Sequence, residues 1–270
     1  MKKATMKDIW YESKGVRLYG VEQGDGPVLV MLHGAGGDHH ACLPIVAPLT
    51  ARYHVITPDL RGSGKSWCAA PLTWNVWDED LAALLDHIGA SRAIVGGISG
   101  GTGAALGFAR QFSARTAGLV LVNPVYGGEN RGLTEYQATT FRSLEPFIAK
   151  ARAGAGLEAF RPLYQKSPQM EAFFDSILGL VDPNSFIATN EFMASCVQPF
   201  ASARDLETIA APTLLIPGND LMHPPDVSVL YAASIPKCTL IDVSSIADFD
   251  ARNAATAAAI ADFCARIAAW

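Results

Sequence analysis

A chain of 270 residues, half of them hydrophobic and only 17% charged, carries enough apolar surface for one large domain with an inserted subdomain, and is no disordered polyelectrolyte. Its net charge of −5, with no basic run beyond Lys2-Lys3, leaves out the electrostatic footprint of a nucleic-acid or anionic-membrane binder. Five cysteines, odd in number and without CxxC spacing, argue against a disulfide framework or a thiolate metal site and for a reduced, cytoplasmic setting. The first residues include lysines but no apolar stretch of the secretory-leader kind, and no segment approaches the length of a membrane span.

In chain order, residues 8–12 and 16–22 read as an antiparallel hairpin about the turn chemistry of Ser13-Lys14-Gly15. Residues 27–32 form a continuous apolar run, the mark of a strand buried on both faces. His33-Gly34-Ala35-Gly36-Gly37 follows as a loop, then a helix is expected over 39–51, interrupted by Pro44 and Pro48. A second buried strand over 54–57 runs into Asp59-Leu60-Arg61-Gly62-Ser63-Gly64-Lys65-Ser66, and 74–88 has helical spacing. The Lys65 loop ends like a phosphate-binding loop, but that motif needs a glycine where Asp59 stands, so a nucleotide site is rejected.

Residues 92–106 hold the sharpest signal. Ala93-Ile94-Val95 stops at two glycines, and a helix-like Ala/Gly segment follows Gly97-Ile98-Ser99-Gly100-Gly101, which is the G-x-S-x-G pattern at a strand–turn–helix junction. Such a turn strains the serine backbone, needs small neighbours and lifts the hydroxyl above the sheet edge, in front of a helix N-terminus. A strand over 118–122 closes this half. From 125 to 206 strand signals fade and helical stretches are expected at 134–153, 157–165, 169–180 and 185–200, with Pro146 and Pro162 inside two of them. Aromatic residues there, among them Phe141, Phe160, Phe174 and Phe192, fit an apolar lid and its own core. Strand pattern returns at 212–216 and 238–243, and a last helix is expected over 252–269. Strands alternating with helices give a doubly wound, mainly parallel α/β sheet: a core of 1–124 and 207–270, interrupted by an all-helical cap over 125–206.

Ligands of such a sheet bind beyond the carboxyl ends of its strands. There the loop after His33 offers backbone N–H groups, Ala35 beside Gly100, as an oxyanion hole. Gly218-Asn219-Asp220 follows the 212–216 strand, so Asp220 is placed to orient a base, although Asn-Asp is also ordinary turn chemistry. The ordered set of Leu32-His33-Gly34, Asp59 to Ser66, Gly97 to Gly101, the helical insertion and Pro212-Thr213 through Asp220 resembles the α/β-hydrolase fold superfamily, in its cap-bearing esterase and lactonase form. The resemblance implies Ser99 as nucleophile, Asp220 as triad acid, the Ala35 and Gly100 N–H groups as oxyanion hole, no cofactor or metal, and a small-molecule ester, thioester or lactone as substrate.

The chain departs from that pattern at one position. The superfamily's histidine lies in a loop after the last strand, where this chain reads Ala247-Asp248-Phe249, and no histidine follows His223. A serine hydroxyl is a weak nucleophile without an adjacent base. Two replacements stay open: His223, three residues after Asp220 on the same loop, and Asp248 itself, a carboxylate whose pKa burial would have to raise. His54 and His87 read as structural, His33 as a support of the oxyanion loop, and His39 and His40 as the start of a helix behind it. A third outcome is an incomplete triad, in a non-hydrolytic lyase or cyclase or a small-molecule binding protein.

Overall fold

The two most apolar runs of the sequence lie side by side. Val28–Leu32 (β3) and Ala93–Ile98 (β5) pair in parallel, Leu29 opposite Ile94 and Leu32 opposite Gly97. The protein is seen in a computed structural model that describes residues 5–69, 71–128, 131–165, 168–178 and 181–267; Lys2 and Lys3 lie outside these. β1 (Lys7–Ser13), β2 (Val16–Gln23), β4 (His54–Pro58), β6 (Thr116–Val122), β7 (Thr213–Ile216) and β8 (Cys238–Leu240) complete one sheet, in the order β1-β2-β4-β3-β5-β6-β7-β8. β1 and β2 are the expected hairpin, β2 meets β4 antiparallel, and every other pair is parallel.

Alternation along β3 divides the core in two. Val30 and Leu32 face one cluster, packed under α2 (Trp74–His87) and α3 (Gly101–Gln111); Leu29 and Met31 face the other, under α1 (Leu43–Val46) and the C-terminal helix. The helix expected over 39–51 is three pieces, a 3-10 turn at His39–Ala41, α1, and a second 3-10 turn at Ala47–Ala51. Pro44 and Pro48 each open a new piece, where a missing N–H costs least.

Between β6 and β7 the regular elements among the described residues are helices: α4 (Arg131–Arg142), α5 (Glu145–Lys150), a π turn (Ala151–Ala155) and a 3-10 turn (Gly156–Phe160), α6 (Arg161–Tyr164), α7 (Pro168–Leu178), α8 (Pro183–Ala194) and α9 (Ala203–Glu207). Pro146 and Pro162 sit in the first turns of α5 and α6, splitting the longer stretches the spacing predicts. Leu144, Ile148, Leu157, Phe160, Phe174 and Phe186 form a hydrophobic cluster of their own. Phe192 turns the other way, its ring 5.0 Å from Trp74 and 5.1 Å from Trp77, and so fastens α8 to the sheet domain.

After β7 come α10 (Pro225–Ser234) and β8. The 238–243 run leaves the sheet early, because the Asp242 carboxylate accepts from Ser244 N (2.8 Å) and starts a turn. α11 (Phe249–Arg266) begins three residues before the expected start; its N-cap is Asp248, whose carboxylate accepts from Ala251 N at 2.7 Å. The expected end of that helix at 269 lies outside the described residues. Replacing the cap, Asp248→Ala, is expected to cost about 1 kcal/mol in urea denaturation, whereas Asp248→Asn, an equally good cap, costs almost nothing.

Candidate active site

The junction of β5 and α3 folds as tightly as backbone permits. A methyl group on Gly97 would lie 2.2 Å from Gly101 O, and one on Gly101 would lie 2.5 Å from His33 O, so both outer glycines of the G-x-S-x-G pattern are there for close approach. Ser99 itself sits at φ 53°, a left-handed conformation that a serine adopts only under constraint. Its N–H is tied to Val122 O at 2.9 Å. The hydroxyl is thereby set at the carboxyl edge of the sheet, with Gly34 against it: a Cβ on Gly34 would be 3.0 Å from Ser99 Cβ.

The loop after β3 is held from below by buried polar groups. His33 Nε2 accepts from Leu60 N (3.0 Å), so Nδ1 carries the proton and donates to Gly34 O (2.8 Å). Burial pushes the His33 pKa down and keeps the ring neutral. Asp59 joins the two loops: Oδ1 accepts from His39 N (2.8 Å) and meets His39 Nδ1 (2.7 Å), while Oδ2 accepts from Lys65 N (2.8 Å). Burial works to raise the Asp59 pKa, but the His39 hydrogen bonds and the nearby imidazoles outweigh it and hold the carboxyl below its ordinary value. The loop that ends like a phosphate binder thus closes around the protein's own carboxylate. Arg61 adds a buried bidentate pair to Asp80 (2.8 and 2.6 Å) and a bond to Ser13 O (2.9 Å), which anchors this loop to α2 and the hairpin. In consequence Ala35 N and Gly100 face each other, a Cβ on Gly100 falling 3.1 Å from Ala35 N.

Of the two candidate replacements for the late histidine, one reaches the serine. His223 Nε2 lies 2.9 Å from Ser99 Oγ, and His223 Nδ1 lies 2.9 Å from each oxygen of Asp220. With Nδ1–H donating to the carboxylate, Nε2 is free to accept the serine proton. The Asp220 carboxylate also accepts from Met222 N (2.8 Å) and His223 N (2.9 Å), so one side chain both folds the loop and orients the ring. Burial acts to raise the Asp220 pKa; the hydrogen bonds from the His223 ring and from these two N–H groups prevail and lower it. Gly218 makes the turn possible, since a Cβ there would fall 2.2 Å from His223 Cβ. Asp248, the other candidate, spends its carboxylate on the α11 cap, and the structure records no contact between it and Ser99. His54 pairs with Glu22 (2.8 Å), His39 is buried on Asp59, and His40 is exposed, with its Nδ1 on Asp38 (2.9 Å). Ligand-type atoms of Asp38, His39 and His40 lie within 4.8 Å of one another, but these hydrogen bonds already engage all three side chains.

Several residues of the site left no trace in the sequence. Thr189 and Met193 of α8, Tyr126 after β6, Trp77 of α2 and Ser63 of the Asp59 loop enclose, with Ala35 and Gly100, a cavity of about 10 Å³ beside the oxyanion loop. Thr189 Oγ1 accepts from Gly36 N at 2.8 Å, which ties α8 to that loop. Ser63, Trp77, Thr189 and Met193 fall in segments whose pattern reads as loop or helix, but nothing in that pattern marks a wall.

The model of the alpha/beta hydrolase family matches residues 29–259, spanning every element of this site. The chain belongs to that family. It is 31% identical over 228 residues to the magnesium-chelatase 30 kDa subunit of Rhodobacter capsulatus, covering 80% of this chain and 78% of that protein. Among solved structures it resembles a thermophilic esterase from Thermogutta terrifontis (TM-score 0.77, 22% identity, 97% of this chain and 100% of that one). It is similar as well to the enol-lactonase from Burkholderia xenovorans LB400 (TM-score 0.75, 20% identity, 96% and 100%).

The anchors under the loop set a stability prediction. His33 is held neutral, with its pKa lowered on folding, so the unfolded chain binds the extra proton; stability is expected to fall as pH drops below about 6.5. Asp59, also lowered, contributes stability above the ordinary carboxylate value and loses it as pH falls through its own folded value. Urea denaturation from pH 8 to pH 3 is expected to show both declines, each no steeper than about 1.4 kcal/mol per pH unit. His33→Gln abolishes the first. An unfolding free energy flat between pH 7 and 5 in the native protein would contradict the His33 assignment.

Proposed function

We propose that the protein is a serine hydrolase of small carboxylic esters, thioesters or lactones, with Ser99 as nucleophile, His223 as general base and Asp220 as the acid that orients it. The observation that carries this reading is the 2.9 Å approach of His223 Nε2 to Ser99 Oγ, with Asp220 on the far side of the same ring. The family membership and the likeness to an esterase and an enol-lactonase, both breakers of acyl–oxygen bonds, support the same class.

In the reaction, His223 Nε2 accepts the Ser99 proton as Oγ attacks the carbonyl carbon. The carbonyl π pair moves to oxygen, where the Ala35 and Gly100 N–H groups receive the negative charge. Collapse of this tetrahedral species breaks the bond to the leaving oxygen or sulfur, which takes the proton from Nε2–H. Water then attacks the acyl-serine with the same imidazole as base, releasing the acid and restoring the serine. Residues 125–206 act as the cap that keeps bulk water from the intermediate. The competing reading, a lyase, cyclase or binding protein on this fold, rests on a serine without a base, and the imidazole beside Ser99 weighs against it.

The test joins labelling and kinetics. Native protein is expected to react with a fluorophosphonate probe and to turn over p-nitrophenyl acetate, and Ser99→Ala to do neither. His223→Ala is expected to lower kcat/KM by at least about 10³. Asp248→Asn leaves it unchanged. If native protein takes no label and cleaves no ester while still binding small ligands, the hydrolase reading fails; unchanged turnover in His223→Ala removes the base.

A further inference from the structure

A cavity of about 320 Å³ lies at the end of the sheet away from Ser99. Ser99 follows the carboxyl end of β5, whereas this cavity is bounded by Arg92 before β5, Ala117 in β6, Pro212 before β7 and Lys237 before β8. Those are the amino ends of the parallel strands, and at about 3.3 Å per residue the length of β5 sets the two places roughly 20 Å apart. Backbone pairing fixes the frame: Leu119 N donates to Pro212 O and Thr213 N to Lys237 O, each at 2.9 Å. The floor is apolar, made by Phe263 in the last turn of α11 and by Ile267 just beyond it, both buried. They reach the sheet because Gly118 makes room, a Cβ there falling 2.4 Å from Ile267 Cδ1.

The rim is cationic. Arg92, Lys237 and Arg266, all exposed, line the cavity with Thr239, and none of the described residues of the wall is acidic. Elsewhere cations are answered by carboxylates: Lys14 by Glu79, Arg61 by Asp80, Arg110 by Asp205 and Arg115 by Asp86. Among the described residues, the side chains of Arg92, Lys237 and Arg266 have neither an ion pair nor a hydrogen bond. The carbonyls that end α11 favour a cation at Arg266, but they give no reason for Arg92 or Lys237 to share its hollow. In a chain of net charge −5, such a hollow is a local attractor for anions.

We propose that this cavity binds a small phosphate monoester, with the phosphate among Arg92, Lys237 and Arg266 and the apolar substituent on Phe263 and Ile267. Guanidinium groups meet phosphate oxygens through paired N–H donors, and the ammonium adds a point charge. Several cations favour a dianion over a carboxylate, and the apolar floor favours an ester over free phosphate. The volume stands near the lower end for ligand pockets and suits a single-ring substituent. Binding here makes no use of Ser99 and is independent of the hydrolase chemistry.

Phenyl phosphate is the probe, with inorganic phosphate and phenol as its two halves, each titrated calorimetrically into the native protein at low salt. Phenyl phosphate is expected to bind in the submillimolar range, phosphate more weakly and phenol not measurably, with affinity falling as KCl is added. Arg92→Ala combined with Lys237→Ala is expected to weaken phenyl phosphate at least about tenfold at an unchanged urea midpoint, and Lys237→Arg to retain it. Lys14→Ala combined with Lys150→Ala removes as much charge elsewhere and leaves the affinity as it was. No binding by native protein, or binding that survives loss of Arg92 and Lys237, overturns the site. Equal weakening by the Lys14 and Lys150 pair overturns it too, since net charge alone then attracts the probe. Binding seen only when the chain is shortened to end at Ile267 also overturns it, because residues 268–270 are then the occupant.

Discussion

Two backbone approaches hold the site together. Gly97 lies against the carbonyl of Gly101, and Gly101 lies against the carbonyl of His33, each so near that a single methyl group would collide. The first contact bends β5 into α3 and forces Ser99 to positive φ; the second presses the start of α3 onto the end of β3. The oxyanion loop therefore stands beside the serine because of sheet geometry, before any side chain acts. The buried polar anchors, His33 on Leu60 N and Asp59 on His39 and Lys65, keep it there. They stabilise a loop whose position the glycines dictate, which is why a neutral His33 and an ionised Asp59 matter for stability more directly than for chemistry.

The imidazole beside Ser99 is placed by a different device. In place of two loops from two strand ends, one turn from Gly218 to His223 brings acid and imidazole together. Asp220 folds the turn through two backbone N–H groups and orients the ring with the same carboxylate. Such economy has a consequence: loop shape and imidazole tautomer fail together when Asp220 is altered, so its effects and those of His223 will not add. Asp220 is also more than half exposed, with 59% of its side-chain surface open, so solvent screens its pull on the imidazole. In the loop after β8, Asp248 spends its carboxylate on capping α11.

How much of this was legible in the sequence depended on the range of the forces involved. Apolar runs and glycine punctuation act over a few residues, so the hairpin, β3, β5, the serine turn and the helical insertion could be read directly. Prolines at 44, 48, 146 and 162 marked where helices would break. The choice between His223 and Asp248 could not be made, because both are plausible by chain order and only the turn at Gly218 decides which side chain reaches Ser99. Phe192 reads as part of the insertion's own core by composition, yet its ring lies on Trp74 and Trp77. Ser63 stood in a loop whose spacing was informative, but its place in a cavity wall is a property of the packing around it.

The inserted helices bear on access as well as on shelter. Thr189 of α8 holds the Gly36 N–H, and Phe186 packs so closely on Gly36 that a Cβ there would be 2.8 Å from its ring. Lifting α8 would break the bond that steadies the oxyanion loop, so a route through this roof would disassemble the site it serves. On the other side Asp220 is open to solvent and Leu221 is 66% exposed. Entry past the His223 turn leaves that loop undisturbed.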